Sequence, residues 1–173
     1  MRRIKSLFHI NITCSDWNKM IDFYCNKCGF DQCFVLTKAD MNTMFGQPVT
    51  EEDKETPWIT YIRVAPDQYI ELVNGATKDE PPTHPKNGAF HHMAFTVEDL
   101  EYTAKEMAKA GAPLIHSPID TRPIPLEPFE CGIGQDKCRI AWLLDPEGNP
   151  IEVMEQSGES MQEIFEREHP IAD

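Results

Sequence analysis

An α+β chain made of two βαβββ modules with curved mixed sheet is predicted by three observations. The stretches Gln68-Tyr69-Ile70-Glu71-Leu72-Val73-Asn74 and Asn149-Pro150-Ile151-Glu152-Val153-Met154-Glu155 each carry one acid inside an apolar strand. Upstream of each acid, a histidine sits in another apolar strand: His9 stands 62 residues before Glu71, and His92 stands 60 before Glu152. Between histidine and acid the punctuation also repeats. Asp16 and Asp99 each lie seven residues after their histidine, and Gly29 and Gly111 lie 20 and 19 after it. An internal repeat of this kind constrains a fold more than any local propensity.

The elements follow in order. Residues 5–13 alternate, with Phe8, Ile10 and Ile12 on one face and Leu7, His9, Asn11 and Thr13 on the other, which is the period of a half-buried strand. Ser15 can cap a helix beginning at Asp16, whose stripe of Trp17, Met20, Ile21, Tyr24 and Cys28 runs to the stop at Gly29. Phe30–Leu36 reads as a strand. Thr37–Pro57 is polar and acidic and reads as a loop of about 20 residues, long enough to serve as a lid. Trp58–Val64 and Tyr69–Val73 are strands joined by a turn at Pro66-Asp67, and Asn74–Asn87, with Pro81, Pro82 and Pro85, is a linker. His91–Val97 then begins the second module, and Leu100, Ala104 and Met107 form its helical stripe. Leu114–Ile119 is a short strand, Pro118–Pro128 a proline-rich crossing, and Arg139–Leu144 a strand. Asp145-Pro146-Glu147-Gly148-Asn149 is a hairpin turn leading into Ile151–Met154. Ser160 and Glu163 form a capping-box pattern over a short C-terminal helix with Met161, Ile164 and Phe165 as its apolar patch. The organisation expected is one domain over 1–156, made of modules 5–75 and 88–156 around a linker at 76–87, followed by a helical tail at 157–173.

Composition narrows the function. Hydrophobic residues at 40% and charged residues at 26% describe a soluble globular protein. A formal charge of −13 argues against nucleic acid and against an anionic membrane surface, both of which need a basic footprint. No apolar run reaches the roughly 20 residues of a membrane span, and Met1–Ile12 is a poor signal peptide, so a cytoplasmic protein is expected. In that setting the six cysteines, Cys14, Cys25, Cys28, Cys33, Cys131 and Cys138, are expected to be thiols.

Strand periodicity aims the special residues. The neighbours of each are apolar and helix-facing: Phe8 and Ile10 around His9, Ile70 and Leu72 around Glu71, His91 and Met93 around His92, Ile151 and Val153 around Glu152. All four therefore point to the opposite face, into the concavity of a curved sheet. Two imidazoles and two carboxylates suit one divalent metal ion, and a mixed nitrogen and oxygen set without thiolate admits Ni, Zn, Co, Mn or Fe alike. Singly, each residue is more often structural or solvated; the matched pairs carry the assignment.

The His9 strand leading to Asp16, then Asp22-Phe23-Tyr24 and Gly29-Phe30, and the closing Leu144-Asp145-Pro146-Glu147-Gly148-Asn149-Pro150-Ile151-Glu152, make the chain resemble the vicinal oxygen chelate superfamily, which includes glyoxalase I, over nearly all of residues 5–156. The resemblance implies paired βαβββ modules forming an open sheet around a metal cleft, with His9, Glu71, His92 and Glu152 as ligands, and a homodimer. It implies a lyase or isomerase that moves a proton through a metal-stabilised enediolate of a small hydroxy-carbonyl substrate, with Glu152 as first choice of base and Glu71 as second. The glutathione contacts of glyoxalase I are not matched: Thr13 and Cys14 stand where a basic residue is typical, and Asn74-Gly75 lacks aromatic neighbours, so glutathione is not expected. Thr37–Pro57 and Arg122–Ile133 are the places where substrate choice would be set. Within the same superfamily, the alternatives are an epimerase of the methylmalonyl-CoA type, which commonly has Gln where this chain has Glu71, an Fe(II) extradiol dioxygenase with only three protein ligands, and a metal-free drug-binding resistance protein. A second, structural zinc on Cys25, Cys28 and Cys33 is disfavoured, because Cys28 takes the place of an apolar helix residue before the glycine. His84, His91, His116 and His169 are expected to be solvated, with His116 the one able to reach the cleft.

Overall fold

The structure, a computed structural model, describes residues 7–75 and 92–170. The chain divides into two compact units, Met1–Pro81 and Pro82–Asp173. The expected linker over 76–87 and His91 lie outside the described residues.

In the first unit, strand β1 (His9–Cys14) leads into helix α1 (Trp17–Ile21), which continues as a wider π turn over Asp22–Lys27. Strand β2 (Asp31–Thr37), helices α2 (Lys38–Met44) and α3 (Glu51–Glu55), and strands β3 (Pro57–Ala65) and β4 (Gln68–Asn74) complete it. The second unit runs through β5 (Met93–Val97), α4 (Leu100–Lys109), β6 (Ile115–Ser117), β7 (Asp120–Pro123), β8 (Gly132–Ile133), β9 (Arg139–Leu144), β10 (Pro150–Glu155) and α5 (Met161–Glu168).

The repeat read from the sequence is a repeat of topology. The first sheet has the order β1-β4-β3-β2 and the second has β5-β10-β9-β6-β7, with β8 on β9. In both, the opening strand pairs parallel with the closing one, and the closing strand pairs antiparallel with its predecessor. Each sheet buries one face. Ile70 and Leu72 on β4 and Ile62 on β3 are 1% exposed or less, as is Ile151 on β10, and Val153 is buried beside it. Covering residues come from the helices: Met20, Phe23 and Tyr24 in the first unit, and Leu100, Ala104 and Met107 in the second, where α4 packs on β10. Burial of each such side chain stabilises by about 1.5–3 kcal/mol.

Several details differ from expectation. Asp16, not Ser15, caps the first helix: its carboxylate accepts from Lys19 N at 3.2 Å, as Asp99 accepts from Tyr102 N at 2.9 Å. The two aspartates seven residues after their histidines are thus one device used twice, each satisfying an orphan N–H at a helix start. The π turn is closed by Cys28 N donating to Phe23 O, and Phe23 and Tyr24 are both buried, so the interior face includes Phe23 beside the expected Met20 and Tyr24. Thr37–Pro57 is not a structureless loop. It holds α2 and α3, each opened by a capping box in which Thr37 and Asp40, or Thr50 and Asp53, exchange side-chain and backbone hydrogen bonds. The Pro118–Pro128 crossing contains β7, a short polar strand paired with β6. His92 immediately precedes β5 rather than lying within it.

Two polar anchors fix the end of the second sheet. Asp145, 4% exposed, accepts from Glu147 N, Asn149 N and Asn149 Nδ2 at 2.8–3.0 Å, while Gly148 takes the positive φ of 86° that the hairpin needs. Glu155 receives Arg139 through both oxygens at 3.0 Å and also Leu100 N at 2.6 Å, tying the start of α4 to β10. The tail helix α5 is capped by Ser160 and Glu163 as its sequence implies. It is held by Asp136, which accepts from Met161 N through its backbone and from Gln162 Nε2 through its side chain. Met161 and Phe165 remain exposed. All six cysteines are free thiols, with Cys14 and Cys138 buried. No helix among the described residues is long and apolar enough to cross a membrane.

Removing the second of the paired caps gives a direct check on this architecture. Asp99→Ala is expected to lower unfolding stability by about 1 kcal/mol, read as a shift in the urea midpoint with an unchanged slope.

Candidate metal-binding half-sites

Strand register brings each histidine to its acid. On β1 and β4 the partner of Glu71 is Asn11, two residues after His9; on β5 and β10 the partner of Glu152 is Ala94, two residues after His92. The same offset in the two parallel pairs produces the same contact. His9 Nε2 lies 3.4 Å from Glu71 Oε2, and His92 Nε2 lies 3.4 Å from Glu152 Oε2. The histidine side chains are 35% and 32% exposed and the glutamates 16% and 15%, so both pairs stand at comparable depth on a face open to solvent.

The spacing bears on what the pairs can hold. A direct N–H···O bond would bring the atoms to about 2.7–3.2 Å, so 3.4 Å is long for one. Two donors on a shared cation with bonds of about 2.1 Å stand about 3.0 Å apart at an octahedral edge and about 3.4 Å apart at a tetrahedral one. Each pair therefore fits two adjacent positions of a divalent ion, and the mixed imidazole and carboxylate chemistry fits a borderline metal. Within each unit the described residues bring two donors together; no group of three or more His, Cys, Asp or Glu able to hold a metal ion forms there.

An aromatic ring supports each pair and was not singled out in the sequence. Tyr61 lies opposite Glu71 across the β3–β4 ladder and Trp142 lies opposite Glu152 across β9–β10. Their rings meet the histidines edge-on, Tyr61 to His9 at 5.4 Å and 79° and Trp142 to His92 at 5.1 Å and 76°. The signal that could have found them is an aromatic residue ten positions before each acid, from 61 to 71 and from 142 to 152. In the first unit the phenol does more than pack. Burial pushes the Tyr61 phenol above its ordinary value, and Glu71 adds to the shift by its charge and by accepting the phenol's hydrogen bond. The Tyr61 oxygen also lies 3.5 Å from His9 Nδ1. Asn11 Nδ2 donates to Glu71 Oε2 at 2.7 Å. Phe34, stacked on Tyr61 at 5.3 Å, and Tyr69, edge-on to it at 6.0 Å, extend the aromatic surface beside the first pair.

The remaining histidines fall elsewhere. His116 is exposed on β6, His169 stacks on Phe165 at the end of α5, and His84 and His91 lie outside the described residues. Arg122, in one of the two segments expected to set substrate choice, is engaged by Asp120, whose carboxyl that bond holds down at about 2.

Comparison with known proteins identifies the family and the fold. Residues 6–153 match the family model described as Glyoxalase/Bleomycin resistance protein/Dioxygenase superfamily, and the chain belongs to that superfamily. The uncharacterized protein YwkD of Bacillus subtilis (strain 168) is 28% identical over 153 residues, 88% of this chain and 98% of YwkD. The glyoxalase family protein from Enterococcus faecalis has the same fold, with a TM-score of 0.60 at 16% identity over 87% of this chain and 97% of its own. So has a variant of the fosfomycin resistance protein FosX from Listeria monocytogenes, solved with Mn(II) and 1S,2S-dihydroxypropylphosphonic acid, at a TM-score of 0.55 and 15% identity over 96% and 99%.

The nearness of Trp142 to His92 offers a reporter. Titration with paramagnetic Ni(II) is expected to quench tryptophan emission to a saturating end point in the wild-type chain, and Trp142→Phe, which retains Trp17 and Trp58, is expected to lose most of that quench.

Proposed function

From superfamily membership and the two matching half-sites together, we propose that this chain is a divalent-metal-dependent lyase or isomerase of the glyoxalase I type, acting on a small hydroxy-carbonyl compound, with the glutathione contacts of glyoxalase I unmatched in its sequence. The observation that supports it is the repetition of one arrangement: a histidine, an acid at 3.4 Å and an aromatic ring against the imidazole, set twice by one register. A lone pair of this kind is ordinary on a protein surface. Duplication of the pair, its spacing and its supporting ring has no structural need that a single copy would not meet.

His9, Glu71, His92 and Glu152 would hold the cation, here in the reading of one site filled by one His–Glu pair from each module of a homodimeric cytoplasmic protein. When bound, the cation supplies Lewis-acid stabilisation of the negative charge that develops on neighbouring substrate oxygens. The protein residues then divide the remaining work. Glu152 takes the proton from the carbon beside the carbonyl and returns it to the adjacent carbon, as a carboxylate within reach of the substrate can. Glu71 is the second candidate for that proton. Tyr61 and Trp142 hold the imidazoles in orientation, and Phe34 and Tyr69 extend the aromatic surface beside the first pair.

Elemental analysis of the purified chain, followed by proton exchange from deuterated solvent into a panel of α-hydroxy-carbonyl compounds, tests this. Stoichiometric divalent metal and exchange that disappears with a chelator are expected. Glu152→Gln is expected to lower the exchange rate by at least about a hundredfold, the scale of general-base catalysis, with a smaller loss of metal. Full exchange by that variant moves the base to another residue. Protein without metal that still binds an antibiotic places it with the drug-sequestering members, oxygen uptake with catechols with the dioxygenases, and exchange next to a thioester carbonyl with the epimerases.

A further inference from the structure

The two half-sites share their register but not the residue that faces the acid. Asn11 faces Glu71 and donates its amide to Glu71 Oε2 at 2.7 Å. At the matching position Ala94 faces Glu152, and a methyl group donates nothing. The residue across the antiparallel ladder differs too: Tyr61 faces Glu71 with a phenol, whereas Trp142 faces Glu152 with an indole that packs edge-on against His92. Among the described residues, no side-chain hydrogen bond reaches the Glu152 carboxylate, and its polar contact is with His92.

We infer that Asn11 is a positioning residue that fixes Glu71 as the permanent carboxylate ligand of the site and leaves Glu152 as the one free to move. This rests on the metal-dependent reading above. A carboxylate that carries a proton between carbons must leave the cation to do so. One that is held by an amide loses that bond when it moves, and one without it does not. The different neighbours at positions 11 and 94 thus give two acids of equal sequence context two different tasks. Both positions are solvent-exposed, so exchanging the residues is sterically open.

Metal affinity, measured on the full chain with Ni(II) against a chromophoric chelator, tests the assignment. Asn11→Ala is expected to weaken Ni(II) binding about tenfold, the lower end of what loss of a ligand's supporting hydrogen bond does, while the unfolding midpoint of the metal-free protein stays unchanged. In a Glu71→Ala background, which removes the acceptor oxygen, the same substitution is expected to add no further loss, because it acts through that carboxylate. Ala94→Asn is expected to keep Ni(II) affinity at or above the wild-type value and to slow deuterium exchange about tenfold by tethering Glu152. Wild-type affinity in Asn11→Ala overturns the inference and leaves the proposed function standing; so does an undiminished loss in the Glu71→Ala background. If Glu71→Ala binds no Ni(II), Ala94→Asn decides, and unchanged exchange by it overturns the inference. A wild-type chain that binds no divalent metal overturns the proposed function and this inference with it.

Discussion

The parallel pairing of the opening and closing strands in each unit is the constraint on which the candidate site depends. Parallel ladders are evenly spaced, so one register decides which residues face each other along their whole length. In both units it sets the histidine two positions before the residue that faces the acid. A one-residue slip would send Glu71 to the buried face now held by Ile70 and Leu72, where an unpaired carboxylate costs several kcal/mol or more. The apolar face therefore enforces the geometry of the polar one. The anchors elsewhere, the buried Asp145 turn and the Glu155 bridge to Arg139 and Leu100, hold β10 in the place that this register requires.

The repeat conserves architecture and relaxes chemistry. Topology, cap aspartates, stop glycines and the 3.4 Å contacts recur, while the residues that surround the acids do not: Asn11 and Tyr61 in one unit, Ala94 and Trp142 in the other. In the proposed reaction that inequality has a use, because one acid would hold position while the other carries the proton. Among the differences between the units, those at positions 11 and 94 and at 61 and 142 lie opposite the carboxylates in register.

Much of this was legible in the sequence, for a physical reason. The strands alternate cleanly, the acids interrupt apolar runs, and the helix caps and stops fall at repeated offsets, so the βαβββ order and the pairing of His9 with Glu71 and His92 with Glu152 could be read directly. What escaped reading lacks those signals. Helices α2 and α3 have no buried residues and so no apolar stripe, and their capping boxes carry aspartate at the third position where glutamate or glutamine is the usual mark. Strand β7 is four residues long, polar and ends in proline. The widening of the first helix into a π turn over Asp22–Lys27 leaves no mark in the apolar spacing. Tyr61, Trp142 and Asn11 acquire their roles from cross-strand register, which a linear pattern shows only once the strands have been paired.

X-ray absorption at the nickel edge of the loaded protein, with the metal-to-chain ratio measured on the same sample, tests most directly whether the half-sites serve one cation. One nickel per chain in a nitrogen and oxygen shell with two imidazoles is the predicted result. Two nickel ions per chain with one imidazole each, sulfur in the first shell, or no bound metal would contradict it.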